Sequence, residues 1–175
     1  MTADALRIEL AAVLPQATLV PAETVRGEVV VVVAREAAAE TLRTLRDHPT
    51  LRFDMLSDLT AVDYVEREPR FAVVYQLYSV SQNHRLRVTV PVPGDDPSVP
   101  SAVALWKSAN WAEREAWDMF GIRFAGHPDL RRILMYPEFE GHPLRKDYPV
   151  DKRQPLVPER DPITQPWYPR RSGAA

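Results

Sequence analysis

The chain has 175 residues, 45% hydrophobic and 26% charged, with a formal net charge of −2. These are values of a soluble globular protein, and they give no electrostatic reason to expect nucleic acid or anionic lipid as a partner. The absence of cysteine excludes a disulfide framework, a thiol nucleophile and thiolate ligands for iron–sulfur clusters, so any redox role relies on a cofactor held by another chain.

The opening "MTADALRIEL" has no basic segment followed by an apolar block, and no secretory signal is expected. Further on, no apolar run approaches the roughly 20 residues of a membrane helix. A cytoplasmic or peripheral protein without membrane insertion is the expectation. "DALRIELAAVLP" places Leu6, Leu10, Val13 and Leu14 on one helical stripe, with Asp4 as the expected N-cap and Pro15 as the stop. "ATLVP" and "VRGEVVVVVA" are β-branched, and Val29 to Val33 reads as a strand buried on both faces. A second helix follows, with Ala38, Leu42 and Leu45 on one face and Pro49 just past its end.

Three strands come next. "LRFDM" alternates Leu51, Phe53 and Met55, resuming with Leu59 and Ala61; Phe71 to Val80 is aromatic and β-branched; "HRLRVTVPV" sets Leu86, Val88 and Val90 against Arg85, Arg87 and Thr89. The order α-β-β-α-β-β-β predicts an α+β two-layer sandwich, with two helices on one face of a mixed, largely antiparallel sheet. "PVPGDDPSVP" marks a boundary. Beyond it a short helix is expected over residues 100–107. Another should begin at Asn110 as N-cap, with Glu113 completing a capping box and Gly121 closing it. The expected organisation is a core domain over 1–93, connecting helices over 94–121, and an extended proline-rich docking segment and tail over 122–175.

Of the 17 prolines, eight lie between Pro137 and Pro169. From Ala125 onward the 14 large apolar side chains are too few to offset the backbone entropy of ordering 51 residues as a separate unit. The segment must therefore lie on the rest of the chain, lie on a partner, or stay disordered. "DLRRILMYPEF" needs a surface, and a partner is the preferred one.

Three constellations carry candidate chemistry. Glu113, Arg114, Glu115 and Asp118 lie in the same stretch as Trp106, Trp111, Trp117 and Phe120, a composition that fits an interface anchor better than an acid–base pair. His127 and His142, with Asp129, Glu138, Glu140 and Asp147, admit a metal or hydrolytic site. Each histidine precedes a proline in a stretch without periodicity, so ordinary hydrogen bonding to backbone or carboxylate is preferred. Arg131-Arg132 and Arg145-Lys146 sit where acids and bases balance, eight of each from Glu113 to Arg153. That mixture specifies a register against a protein, not a polyanion. No Gly-rich phosphate loop, GxSxG elbow or HExxH is present.

"EREAWDMFGIRFAGHPDLRRIL", residues 113–134, resembles the signature of the C-type subunit of proton-pumping NADH:quinone oxidoreductase, respiratory complex I. The match runs through Glu113, Arg114, Glu115, Asp118, Met119, Phe120, Gly121, Ile122, Phe124, Gly126, His127, Pro128, Leu130, Arg131 and Arg132. "GHPLRKDYP" resembles the family's closing segment, and "FAVVYQLYSV" and "LWKSANW" match more loosely. The resemblance implies a non-catalytic subunit of the hydrophilic arm, peripheral on the cytoplasmic face of the inner membrane, in the form not fused to the next subunit. It implies no cofactor on this chain, with FMN and iron–sulfur clusters in partner subunits. The implied partners are the quinone-site (D-type) and ferredoxin-like iron–sulfur (I-type) subunits. The residues expected to meet them are Glu113, Arg114, Trp117, Asp118, His127, Arg131, Arg132, His142, Arg145, Lys146, Asp147 and Tyr148. The rivals are the equivalent subunit of a membrane-bound hydrogenase or other-donor complex, and a stand-alone metal-dependent hydrolase.

Overall fold

The computed structural model describes residues 2–21 and 28–157. Helix α1, Ala3–Val13, is capped by Thr2, whose side-chain oxygen accepts from the Ala5 N–H, and not by Asp4. Asp4 instead lies in the first turn, where its charge meets the positive end of the helix dipole. Leu6, Leu10 and Leu14 are buried as the stripe predicts. Strands β1, Thr18–Leu19, and β2, Val30–Val32, pair antiparallel. A 3-10 turn, Arg35–Ala37, leads into α2, Ala38–Asp47, which buries Ala38, Thr41, Leu42 and Leu45. Strands β3, Met55–Asp63, β4, Phe71–Ser79, and β5, His84–Val92, complete a five-stranded sheet of order β1-β2-β5-β4-β3. The β2–β5 pair is parallel and the others antiparallel. The α+β sandwich with a mixed, largely antiparallel sheet is the observed fold.

Register explains which side chains reach the core. Val31, Val88, Tyr75 and Leu59 form one inward row across four strands, while Val32, Thr89, Val74 and Thr60 form the neighbouring outward row. Sequence alternation is wrong at the start of β3, where Met55 faces out at 46% exposure and Leu56 faces in. The register shift between Leu56 and Asp58 inserts one residue, which returns Leu59 to the inward side.

Strand β6, Ser98–Pro100, pairs in parallel with β7, Arg123–Ala125, and helix α3, Ala109–Phe120, connects them beside β3. The helix expected over 100–107 is a run of turns. Its chain is held by side chains: Trp106 Nε1 donates to the Phe53 carbonyl and Ser108 Oγ to that of Leu56. The N-cap position of α3 is Ser108, not Asn110, and no side chain caps it. Glu113 forms no capping box because its carboxylate is turned inward onto Ser101 and Ala102. Gly121 does end α3, at φ +75°, with its N–H on the Trp117 carbonyl. A single apolar core runs from Leu6 to Phe124 through the inward strand faces and all three helices.

Candidate functional site

The segment from Gly126 to Val157 has no helix or strand, yet it is tied to α3 along the helix's length. His127 Nε2 donates to the Asn110 carbonyl (3.1 Å), while its Nδ1 accepts from the Asp129 N–H (3.0 Å). His142 Nδ1 donates to the Asp118 carbonyl (3.0 Å). Asn110 and Asp118 are eight residues apart, roughly 12 Å along a helix. The repeated Gly-His-Pro is therefore a repeated clasp on one helix. Between the two histidines, Arg114 donates to the carbonyls of Arg131 and Arg132.

Asp118 is the centre of this arrangement and is wholly buried. Its Oδ2 accepts three consecutive backbone N–H groups, from Ile133 (3.1 Å), Leu134 (2.9 Å) and Met135 (2.8 Å), and its Oδ1 accepts from Arg132 Nη1 (2.5 Å). Burial pushes this carboxyl up, but the Met135 N–H, Arg132 and the other two amides outweigh it and hold the carboxyl below the usual carboxylate range. Arg132 also donates to the carbonyls of Phe139 and Gly141, and it lies over the rings of Trp117 and Phe139.

The second half of the strap finishes the helix. An α-helix leaves its last carbonyls without partners. Here His142, the Leu144 N–H (3.1 Å) and Arg145 Nε (2.5 Å) donate to the carbonyls of Asp118, Met119 and Phe120. Arg145 brings positive charge to the negative end of the dipole and covers the Phe71 ring. One residue on, the Lys146 N–H donates to Asp63 Oδ2 (2.8 Å), and Arg70 bridges Asp63 and Asp147. Tyr148 stacks on Phe139 at 6.0 Å, and Gln154 reaches both Tyr148 and Glu140.

Sequence reasoning sets Glu113 and Asp118 against a partner, and the structure corrects this: both are 0% exposed, enclosed by their own chain. Glu113 accepts from Ser101 Oγ (2.7 Å) and the Ala102 N–H (2.6 Å), and burial pushes its carboxyl up to about 7. Arg114, Trp117, His127, Arg132, His142, Arg145 and Tyr148 are half-buried in the clasp, and Asp147 is exposed but ion-paired to Arg70. Arg131 and Lys146 extend their side chains into solvent, and Arg131 pairs with exposed Asp129. Around them Trp111 (72%), Leu134 (55%), Leu144 (51%) and Tyr136 (39%) are exposed apolar groups. Asp63, Arg70 and Ser101 escape sequence reasoning, because no periodicity links them to partners so distant in the chain. Among the described residues no three His, Asp or Glu side chains converge as metal ligands.

The family model described as the 30 kDa subunit of respiratory-chain NADH dehydrogenase matches residues 31–154. A protein of Rhizobium etli, the second of its C-type subunits of NADH-quinone oxidoreductase, is 50% identical over 147 residues, covering 82% of this chain and 78% of that protein. The C-type subunit of the Citrifermentans bemidjiense NADH-quinone oxidoreductase is 53% identical over 137 residues, covering 78% and 81%. Among solved structures, the trypsin-resistant fragment (1-134) of Nqo5 superposes with a TM-score of 0.63 at 35% identity, covering 74% of this chain and all of that one. A chain of an archaeal membrane-bound sulfane sulfur reductase shares the fold, with a TM-score of 0.70 at 24% identity over 84% and 85% of the two chains. The family match, the C-type relatives and the Nqo5 fold agree: the chain belongs to the family of the 30 kDa, C-type subunit of respiratory-chain NADH dehydrogenase.

Proposed function

We propose that the chain is a non-catalytic scaffold of the hydrophilic arm of NADH:quinone oxidoreductase. It sits peripherally on the cytoplasmic face of the membrane and holds the D-type quinone-site subunit and the I-type iron–sulfur subunit in register for electron transfer. FMN and the clusters belong to partner subunits. One observation carries the reading: the strap's backbone is fixed by Asp118 and α3, while Leu134, Tyr136, Leu144 and Trp111 stay exposed. A segment held in shape with its apolar groups outward is organised for a second surface. The separability of a trypsin-resistant part of Nqo5 supports the same division into a sturdy core and a docking layer. No helix among the described residues is long and apolar enough to cross a membrane.

A second reading keeps the scaffold and changes the electron donor, and the shared fold with the sulfane sulfur reductase chain favours considering it. Co-purification with a tagged chain separates the two. Recovery of an FMN- and NADH-binding subunit together with D- and I-type subunits is the expected outcome. Recovery of a hydrogenase-like large subunit with no NADH-binding subunit would replace the donor assignment. Recovery of the tagged chain alone, under conditions that keep membrane complexes intact, would remove the scaffold reading.

A further inference from the structure

The second clasp has a feature that the first lacks. His142 Nδ1 is committed to the Asp118 carbonyl, and its ring edges up to Trp117 at 6.4 Å between centroids. Its other nitrogen faces the close approach to Gly121. His142 Nε2 and Arg145 Nη2 each lie 2.7 Å from the point where a Cβ on Gly121 would stand, so the two nitrogens are neighbours. The charged groups acting on the ring are Arg145 and Arg132 from the strap and Asp118 from α3. Asp118's carboxylate is already filled by Arg132 and three backbone N–H groups. Asp63, Arg70 and Asp147 engage one another at the next turn. Among the described residues the carboxylate acting on the ring is Asp118's, already engaged, so a proton added at Nε2 would set an imidazolium against a guanidinium.

We propose that His142 is a proton-operated latch: its neutral ring holds the 141–148 turn on the end of α3, and protonation releases that turn while the core stays folded. The proposal stands on the chain's own clasp and goes beyond the scaffold reading, so either can fail without the other. Burial, then Arg145 and Arg132, lower the affinity of His142 for its proton against the pull of Asp118. For a histidine lowered in this way the docked state is favoured above the ordinary value of 6.5 and loses ground as pH falls. Asp118 remains ionised throughout that range, because its carboxyl lies below the usual value. Glu113 acts with the opposite sign and strengthens the core as pH falls. Acid thus separates strap from core.

The test is hydrogen exchange of the full chain at pH 7.5 and 5.5, corrected for the intrinsic pH dependence of exchange, with the Ile133, Leu134 and Met135 amides on Asp118 as internal reference, since Glu113 shifts the core strands themselves. Protection of 141–148 relative to the reference is expected to fall by up to about tenfold at one unit below the ordinary histidine value. In His142→Asn, which keeps a donor for the Asp118 carbonyl and takes no proton, the ratio should be flat. Equal protection at both pH values in the native chain, or the same fall in His142→Asn, would overturn the latch. Should His142→Asn leave the strap unprotected at every pH, NMR titration of the His142 ring in the native chain decides. A midpoint below 6.5 supports the latch and one at or above it overturns it.

Discussion

Glu113 is wholly buried, bonded by Ser101 Oγ and the Ala102 N–H, and its charge adds to burial in raising the Tyr75 hydroxyl, which has no hydrogen-bond partner among the described residues. Its folded pKa of about 7 stands above the ordinary 4.5. Its contribution to stability is therefore full below 4.5 and is lost as pH rises to 7, a change of about 3 kcal/mol. Glu113→Gln retains an acceptor for Ala102 and offers Ser101 a donor. Urea unfolding should find it more stable than the native chain at pH 8 and little changed at pH 4.5; equal curves at pH 8 would show that Glu113 carries no such cost. Gly121 is the other residue whose identity is dictated by its surroundings. At φ +75°, with His142 and Arg145 within 2.7 Å of any added Cβ, Gly121→Ala combines about 1–2 kcal/mol of left-handed strain with displacement of the second clasp. The melting temperature should fall, and exchange should rise first in 141–148. Gly121 is readable as a helix stop from its place after an amphipathic run. Glu113 is not, because in sequence a buried carboxylate looks the same as a surface one.

At the scale of elements, α3 is the hinge between what is legible and what is not. The order of the first seven elements follows from local periodicity, and the structure reproduces it. The error in β3 comes from a bulge, which changes register without changing composition. The strap's conformation rests on hydrogen bonds between groups 14 to 25 residues apart, and no local pattern encodes such pairs. The repeated Gly-His-Pro is the visible trace of them, but its meaning requires seeing both rings on α3. Asp118 joins helix to strap, so Asp118→Asn tests the union. Substitution turns an acceptor into a donor facing Arg132, whose side chain is only 15% exposed. Leaving that cation unpaired should cost about 3–5 kcal/mol in urea unfolding. Adding Arg132→Met should recover part of the loss, and strictly additive effects would mean the pair is not coupled. Asp118 is held below the usual carboxylate range, so its contribution is present at neutral pH and lost only on strong acidification.

For the whole molecule, the question is why an elaborate internal clasp should leave large apolar groups in water. Three amides on one carboxylate fix the backbone at 133–135, so Leu134 is presented outward from a stationary chain. A face organised before contact loses less conformational entropy when a partner closes over it. Trp111, at 72% exposure on the first turns of α3, has the character of an interface anchor, and Arg131 supplies an exposed charge whose ion pair is with the likewise exposed Asp129. Since both side chains reach into solvent, Trp111→Ala and Arg131→Glu should change the stability of the isolated chain by no more than about 0.5 kcal/mol. In cells, each variant should recover less of the assembled complex with a tagged chain. Trp111→Ala should show the larger deficit, since truncating an anchor costs about 2 kcal/mol or more of binding, on the order of thirtyfold in affinity. Arg131→Glu should act through charge, so Arg131→Lys should recover most of the assembly while Arg131→Gln recovers less. Native yields of complex from both Trp111→Ala and Arg131→Glu would mean that partners meet a different face, and that the exposed strap side chains are surface without a docking role.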